Sequence, residues 1–154
     1  VSGCKYVCPT SSAVSLTANQ EKAVIGVMSG PSFGLKLAKI RVGFTGTSGA
    51  PAQVTLYACT FAANPPGTAS TTVTPVQISG PAIPAGFTAA QNWTSMPTLL
   101  TRVETIPLTP NGGLLVYDVP LGDEPVALPD QGWVLAVNSP VAVSAWGSLW
   151  VERC

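Results

Sequence analysis

From residue 141 to residue 152 the apolar side chains Val141, Val143, Ala145, Leu149 and Val151 keep to one parity, while Ser144, Trp146, Ser148, Trp150 and Glu152 keep to the other. Only a strand, whose successive side chains point to opposite faces, gathers the first set on one side. The same signature recurs in short runs of β-branched, aromatic or alternating residues separated by 15 Gly and 15 Pro, and almost nothing repeats at helical spacing. Strands are expected at 23–28, 35–45, 52–62, 73–79, 98–108, 114–119, 133–138 and 141–152, with 13–16 as a further short one.

Within 35–45, Leu35 and Leu37 point one way, yet Ile40, Val42 and Phe44 fall on the opposite parity. A β-bulge near Ala38-Lys39 restores a single apolar face. Pro110-Asn111-Gly112-Gly113 reads as a tight hairpin, and Asn138-Ser139-Pro140 closes one strand before the next opens. Three connections, 64–72, 80–97 and 120–132, are long and rich in Pro or Gly, and the middle one is expected to hold a helical turn at 89–93 capped by Thr88. This pattern predicts an all-β fold, a two-sheet antiparallel β-sandwich of the jelly-roll type with long Pro/Gly-rich loops. One such domain is expected over residues 21–154. Residues 1–20, polar and without clear alternation, read as an N-terminal arm that reaches a neighbour or is pinned back by a disulfide.

Charged residues make up only 9% of the chain, against about 25% in typical soluble domains. Seven basic and seven acidic residues give a formal net charge of zero, which argues against a nucleic-acid backbone or an anionic membrane as partner. Low charge also resists self-association weakly, so it suits a subunit of a larger assembly. No apolar run approaches the roughly 18 residues of a membrane span, and the opening residues Val1 to Lys5 lack the apolar core of a signal peptide.

Chemistry has few carriers here. There is no histidine, which removes the Ser-His-Asp and Cys-His arrangements, and no phosphate-binding loop is present. The acidic residues Asp118, Asp123 and Glu124 lie close in sequence and are weighed as a glycosidase pair or a calcium site, but adjacent acids in a Pro/Gly-rich loop read better as a solvated turn. The expectation is a chain that is not an enzyme and needs no cofactor or metal. Cys4, Cys8, Cys59 and Cys154 permit two disulfides, Cys154 with Cys4 or Cys8 among them; their spacing lacks the paired knuckles of a zinc site, and Cys59 also reads as a buried thiol.

Two surface features remain. Lys36, Lys39 and Arg41 crowd one strand, either as a solvated face that discourages edge pairing or as a patch for an acidic partner. Trp146 and Trp150 lie on the polar parity of the last strand and need cover from a loop or a neighbouring subunit. The aromatics Trp93, Trp133, Trp146, Trp150, Tyr6, Tyr57 and Tyr117 also admit a sugar-stacking role, as in a carbohydrate-binding module, although core and interface positions account for most of them.

Several stretches are similar to small structural proteins of tailed bacteriophages, particularly those of actinobacterial hosts. They include Val24-Ile25-Gly26-Val27, Phe33-Gly34-Leu35-Lys36-Leu37 leading to Arg41-Val42-Gly43-Phe44, and Cys59-Thr60-Phe61-Ala62 with Asn64-Pro65-Pro66-Gly67-Thr68. Gly86-Phe87-Thr88-Ala89-Ala90 before Trp93, Leu108-Thr109-Pro110-Asn111-Gly112-Gly113, Pro120-Leu121-Gly122-Asp123-Glu124-Pro125 and Trp150-Val151-Glu152-Arg153-Cys154 complete the set. The resemblance implies a virion component, a decoration or auxiliary protein with a jelly-roll fold on the outer surface of the particle. It further implies a homotrimer bound to the major capsid protein, and it brings no catalytic residues.

Overall fold

The alternation at the C-terminal end is realised as a strand in the middle of a sheet. A computed structural model of the chain describes residues 4–46, 50–98, 100–111, 114–120 and 125–153. Within them the strands are β1 Lys5–Pro9, β2 Val14–Ser15, β3 Gln20–Met28, β4 Leu35–Thr45, β5 Ala52–Cys59, β6 Thr71–Val73, β7 Val76–Ser79, β8 Thr88–Gln91, β9 Leu100–Leu108, β10 Leu114–Asp118, β11 Val126–Ala127, β12 Gly132–Ser139 and β13 Ser144–Arg153. They form two antiparallel sheets. A seven-stranded sheet runs β10-β4-β13-β1-β7, with β11 also on β4 and β2 on β13, and a six-stranded sheet runs β6-β8-β3-β12-β5-β9.

The winding is that of a jelly roll. Strands β1-β13-β4-β10 of one sheet are matched in order by β3-β12-β5-β9 of the other, and along these eight strands the chain changes sheet at every step but β5 to β9. The segment carrying β6, β7 and β8 is inserted between β5 and β9 and widens the side next to β1 and β3.

Between the sheets, Leu35, Leu37, Ile40, Val42, Leu149 and Val151 pack with Ile25, Val27, Val54, Leu56, Trp133 and Leu135 in one apolar cluster. The expected bulge in β4 makes this possible. Trp150 pairs with Lys39 and Val151 with Leu37, leaving Ala38 as the extra residue, and the Ala38 carbonyl accepts a bond from the Val119 amide at 2.9 Å. After that slip both parities of β4 reach the same core.

A second apolar cluster lies on the outer side of the six-stranded sheet, where Trp93 and Phe61 cover Ala23, Tyr57, Ala90, Val134 and Ala136. Trp93 can lie flat because the strand beneath offers Gly26, where a Cβ would stand 2.8 Å from the indole Cη2. The Trp93 indole N–H donates to the Asn64 carbonyl at 2.9 Å. Residues 133–137 of β12 are therefore buried on both faces, which explains their unbroken apolar run.

Four expectations are corrected. Residues 1–20 are not an arm throughout: β1 lies between β13 and β7, and Tyr6, Cys8, Val14 and Leu16 are core residues. Residues 88–91 form strand β8 on β3 rather than a helical turn, because the small Ala89 and Ala90 fit under the cover on both sides. The segment 73–79 breaks at Thr74-Pro75, so that β6 belongs to one sheet and β7 to the other. Strands β9 and β10 do not pair with each other; β9 pairs β5 and β10 pairs β4, so the connection through Pro110 passes between sheets, with Gly112 and Gly113 outside the described residues.

The anchoring of β1 gives a direct test. The buried Tyr6 donates its hydroxyl to the Ile83 carbonyl at 2.6 Å. Tyr6→Phe is expected to lower stability by about 1 kcal/mol, seen as a shifted urea midpoint with an unchanged slope. No shift would mean that the loop carbonyl is fully satisfied by water.

A candidate docking face

The sandwich has two outer sides, and the chain covers one of them. The outer side of the six-stranded sheet lies under Trp93 and Phe61, whereas that of the seven-stranded sheet has no such lid among the described residues. Cross-strand register sets out this open face in rows. Leu114, Gly43 and Trp146 lie side by side on β10, β4 and β13; Val116, Arg41 and Ser148 form the next row; Asp118, Lys39, Trp150 and Val7 the third. Beyond the bulge, Lys36, Glu152 and Lys5 follow.

The sequence-predicted residues Lys36, Lys39, Arg41, Trp146 and Trp150 are thus brought together on one face. Strand β4 is flanked by β10 and β11 on one side and β13 on the other, so its cations do not guard a sheet edge. They interact with a tryptophan instead: Lys39 Nζ stands 4.8 Å and Arg41 Cζ 5.2 Å from the centroid of the Trp150 ring. Lys39 also pairs with Asp118 at 3.1 Å. The Trp150 indole N–H donates to Ser148 Oγ at 3.2 Å.

The two tryptophans therefore differ. Trp150 is covered in part by the chain's own cations. Trp146 remains 44% exposed, its indole held by a 3.1 Å bond from Nε1 to Thr45 Oγ1. With it Leu114, 65% exposed, and Val116 present an apolar strip that the sequence reading did not single out. Apolar residues occupy both parities of 114–117, which conceals the outward pair.

Two hollows mark this face. One, of about 330 Å³, opens beside the bulge among Lys5, Lys39, Ile78, Asp118, Trp150 and Glu152. The other is a shallow trough of about 270 Å³ bounded by Pro9, Arg41, Gly43, Leu114, Trp146 and Ser148.

The remaining candidates lie elsewhere. Cys4, Cys8 and Cys59 are free thiols, and Cys154 is outside the described residues. Cys8 is buried in the main core, where loss of hydration pushes its pKa from 9.0 to about 12, and Cys59 is raised for the same reason. Asp123 and Glu124 lie outside the described residues, and no three His, Cys, Asp or Glu among the described residues are grouped to hold a metal. Tyr57 donates to both Glu21 carboxylate oxygens at 2.9 and 2.8 Å; burial first, then this carboxylate, raises its pKa, with Arg102 opposing. Trp93, Trp133 and Tyr6 are core residues, which removes them from any surface platform. No protein-family model, curated protein or solved structure matches the chain.

Proposed function

We propose that the chain is a structural protein of a bacteriophage virion, a decoration protein that binds the major capsid protein on the outside of the head and stabilises the particle. The observation that carries this reading is the open face of the seven-stranded sheet, where a fixed indole, two exposed aliphatic side chains and a group of cations lie together. Such a combination is typical of contact surfaces: Trp and Arg dominate binding hot spots, and a contiguous exposed apolar patch marks an interaction site. The phage resemblance of residues 20–154 supplies the particle, and the scarcity of charge suits a subunit held in an assembly. On this reading the protein acts by area and fit, as a homotrimer, without turnover.

Two measurements test it. Light scattering after gel filtration should give the mass of three chains, with and without reductant. Mixed with heads assembled without it, the protein should co-sediment to saturation and raise the temperature at which the heads open. Folded protein that never sediments with heads defeats the proposal.

A carbohydrate-binding module is the second reading, favoured by one observation: the Trp146 ring is both exposed and held in place beside a trough. Saturable binding on a glycan array that Trp146→Ala removes and Trp150→Ala spares would establish it.

A further inference from the structure

The trough beside Trp146 is shaped for a side chain. Its floor is Gly43, where an added Cβ would meet nothing closer than Leu114 Cδ1 at 3.8 Å. Leu114 on β10 and Trp146 on β13 rise on either side, and both are the register partners of Gly43. Because Trp146 is already tied to Thr45, little rotamer freedom is left to lose when something is placed against it.

One end of the trough carries a charge that no carboxylate among the described residues pairs. Arg41 is exposed, and no carboxylate among the described residues lies within 4.0 Å of it, whereas its neighbour Lys39 is paired with Asp118. Among the described residues of this face Lys5, Lys36, Lys39 and Arg41 stand against Asp118 and Glu152, an excess of two positive charges. The guanidinium is a planar fork suited to a carboxylate, and Arg41 both lines the trough and contacts Trp150.

These features decide what fits. A second copy applied face to face would set Arg41 and the lysines against themselves. Nor does the rest of the described chain offer a matching acidic patch: Glu21 is engaged by Tyr57, Glu104 sits on β9, and Asp130 lies in the turn before β12. A nucleic-acid backbone would gain nothing from an apolar trough and would meet Asp118 and Glu152. We infer that the trough binds a protein segment in which an apolar side chain stands next to Asp or Glu, the apolar group lying over Gly43 between Leu114 and Trp146 and the carboxylate on Arg41. This deepens the docking reading by naming the partner's chemistry, and it rests on that reading only for the biological source of the segment.

The test uses the whole chain labelled with nitrogen-15 and capped hexapeptides carrying a central Leu-Asp, with Leu-Asn, Leu-Lys and Ser-Asp as controls. The Leu-Asp peptide should shift the Trp146 indole and Gly43 amide signals saturably, and each control should bind at least tenfold more weakly. Gly43→Val fills the trough and Arg41→Gln removes the fork; both should keep a dispersed spectrum and lose at least tenfold in affinity. Equal binding of Leu-Asp and Leu-Lys overturns the inference, as does binding that survives both substitutions. A short DNA duplex that shifts the same signals more strongly than Leu-Asp would reassign the face to a polyanion. Peptide binding without head binding would leave the trough assigned and defeat only the virion reading.

Discussion

Gly132→Ala is expected to leave no folded protein. Gly132 opens β12 and is paired on both sides, with Met28 of β3 and Cys59 of β5. A Cβ there would overlap the Val27 carbonyl oxygen and stand 2.7 Å from Val27 C and 2.9 Å from Met28 Cα. All three contacts are backbone, so no side chain can turn aside, and relief requires β3 to part from β12 in the middle of the six-stranded sheet. The cost of such overpacking exceeds about 4 kcal/mol, a large share of the roughly 5–15 kcal/mol that holds a domain folded. The sign is insoluble expression or a circular dichroism spectrum without a cooperative thermal transition. Gly43→Ala, whose Cβ would meet only Leu114 Cδ1 in ordinary van der Waals contact at 3.8 Å, serves as the contrast and should stay within about 0.5 kcal/mol of the parent. Cooperative unfolding of Gly132→Ala near the parental midpoint would mean that β3 and β12 approach less closely than described.

The second large effect is a loss of stability at alkaline pH. Cys8 is held protonated in the fold up to about pH 12, while its ordinary pKa is 9.0. Above pH 9 the unfolded chain releases this proton and the native chain keeps it, so the unfolded state binds fewer protons and stability falls as pH rises. The contribution is fully present below pH 9 and is lost by about pH 12, at about 1.4 kcal/mol per pH unit, or about 4 kcal/mol in all. Tyr57 and Cys59, raised in the same direction, steepen the fall. Urea midpoints between pH 8 and pH 11 should drop steadily in the parent, and Cys8→Ala should flatten the slope whatever its own packing cost. A slope unchanged by Cys8→Ala would place the responsible proton elsewhere.

Local pattern in the sequence carried much of this fold. Strand β4 was legible at both ends, and so was its bulge, because the change of apolar parity between Leu37 and Ile40 admits few other solutions. The outward placement of Trp146 and Trp150 followed from the alternation of β13. What escaped depends on partners remote in sequence. Strand β1 is only five residues long, and its single alternation of Tyr6 and Cys8 means little until β13 and β7 flank it. Ala89 and Ala90 favour a helix by propensity, and pairing with β3 overrides it. The lid formed by Trp93 has its counterpart in Gly26, far back in the chain, so neither residue announces the other. The candidate docking face was half visible: its tryptophans and cations could be named, but the exposure of Leu114 and the covering of Trp150 by Lys39 and Arg41 arise only from register.

The pairing of β1 with β13 also bears on how the protein is made. Lys5 and Tyr6 find their partners at Glu152 and Val151, and β7 completes β1 from its other side. At ribosomal speeds of about 5–20 residues per second, roughly 7 to 29 seconds separate the emergence of Lys5 from that of its partner Glu152. During that interval Tyr6 and Cys8 have no finished sheet to enter. Closure of β1 on β13 therefore waits until residues 144–153 have emerged, and with so many pairings between distant segments its own rate belongs to the millisecond-to-second class of β-sandwiches rather than the microsecond class of helical bundles. Chains crowded on one messenger would meet each other with this strand still unclaimed, and exchange of β1 between copies is the characteristic way for assembly to go wrong.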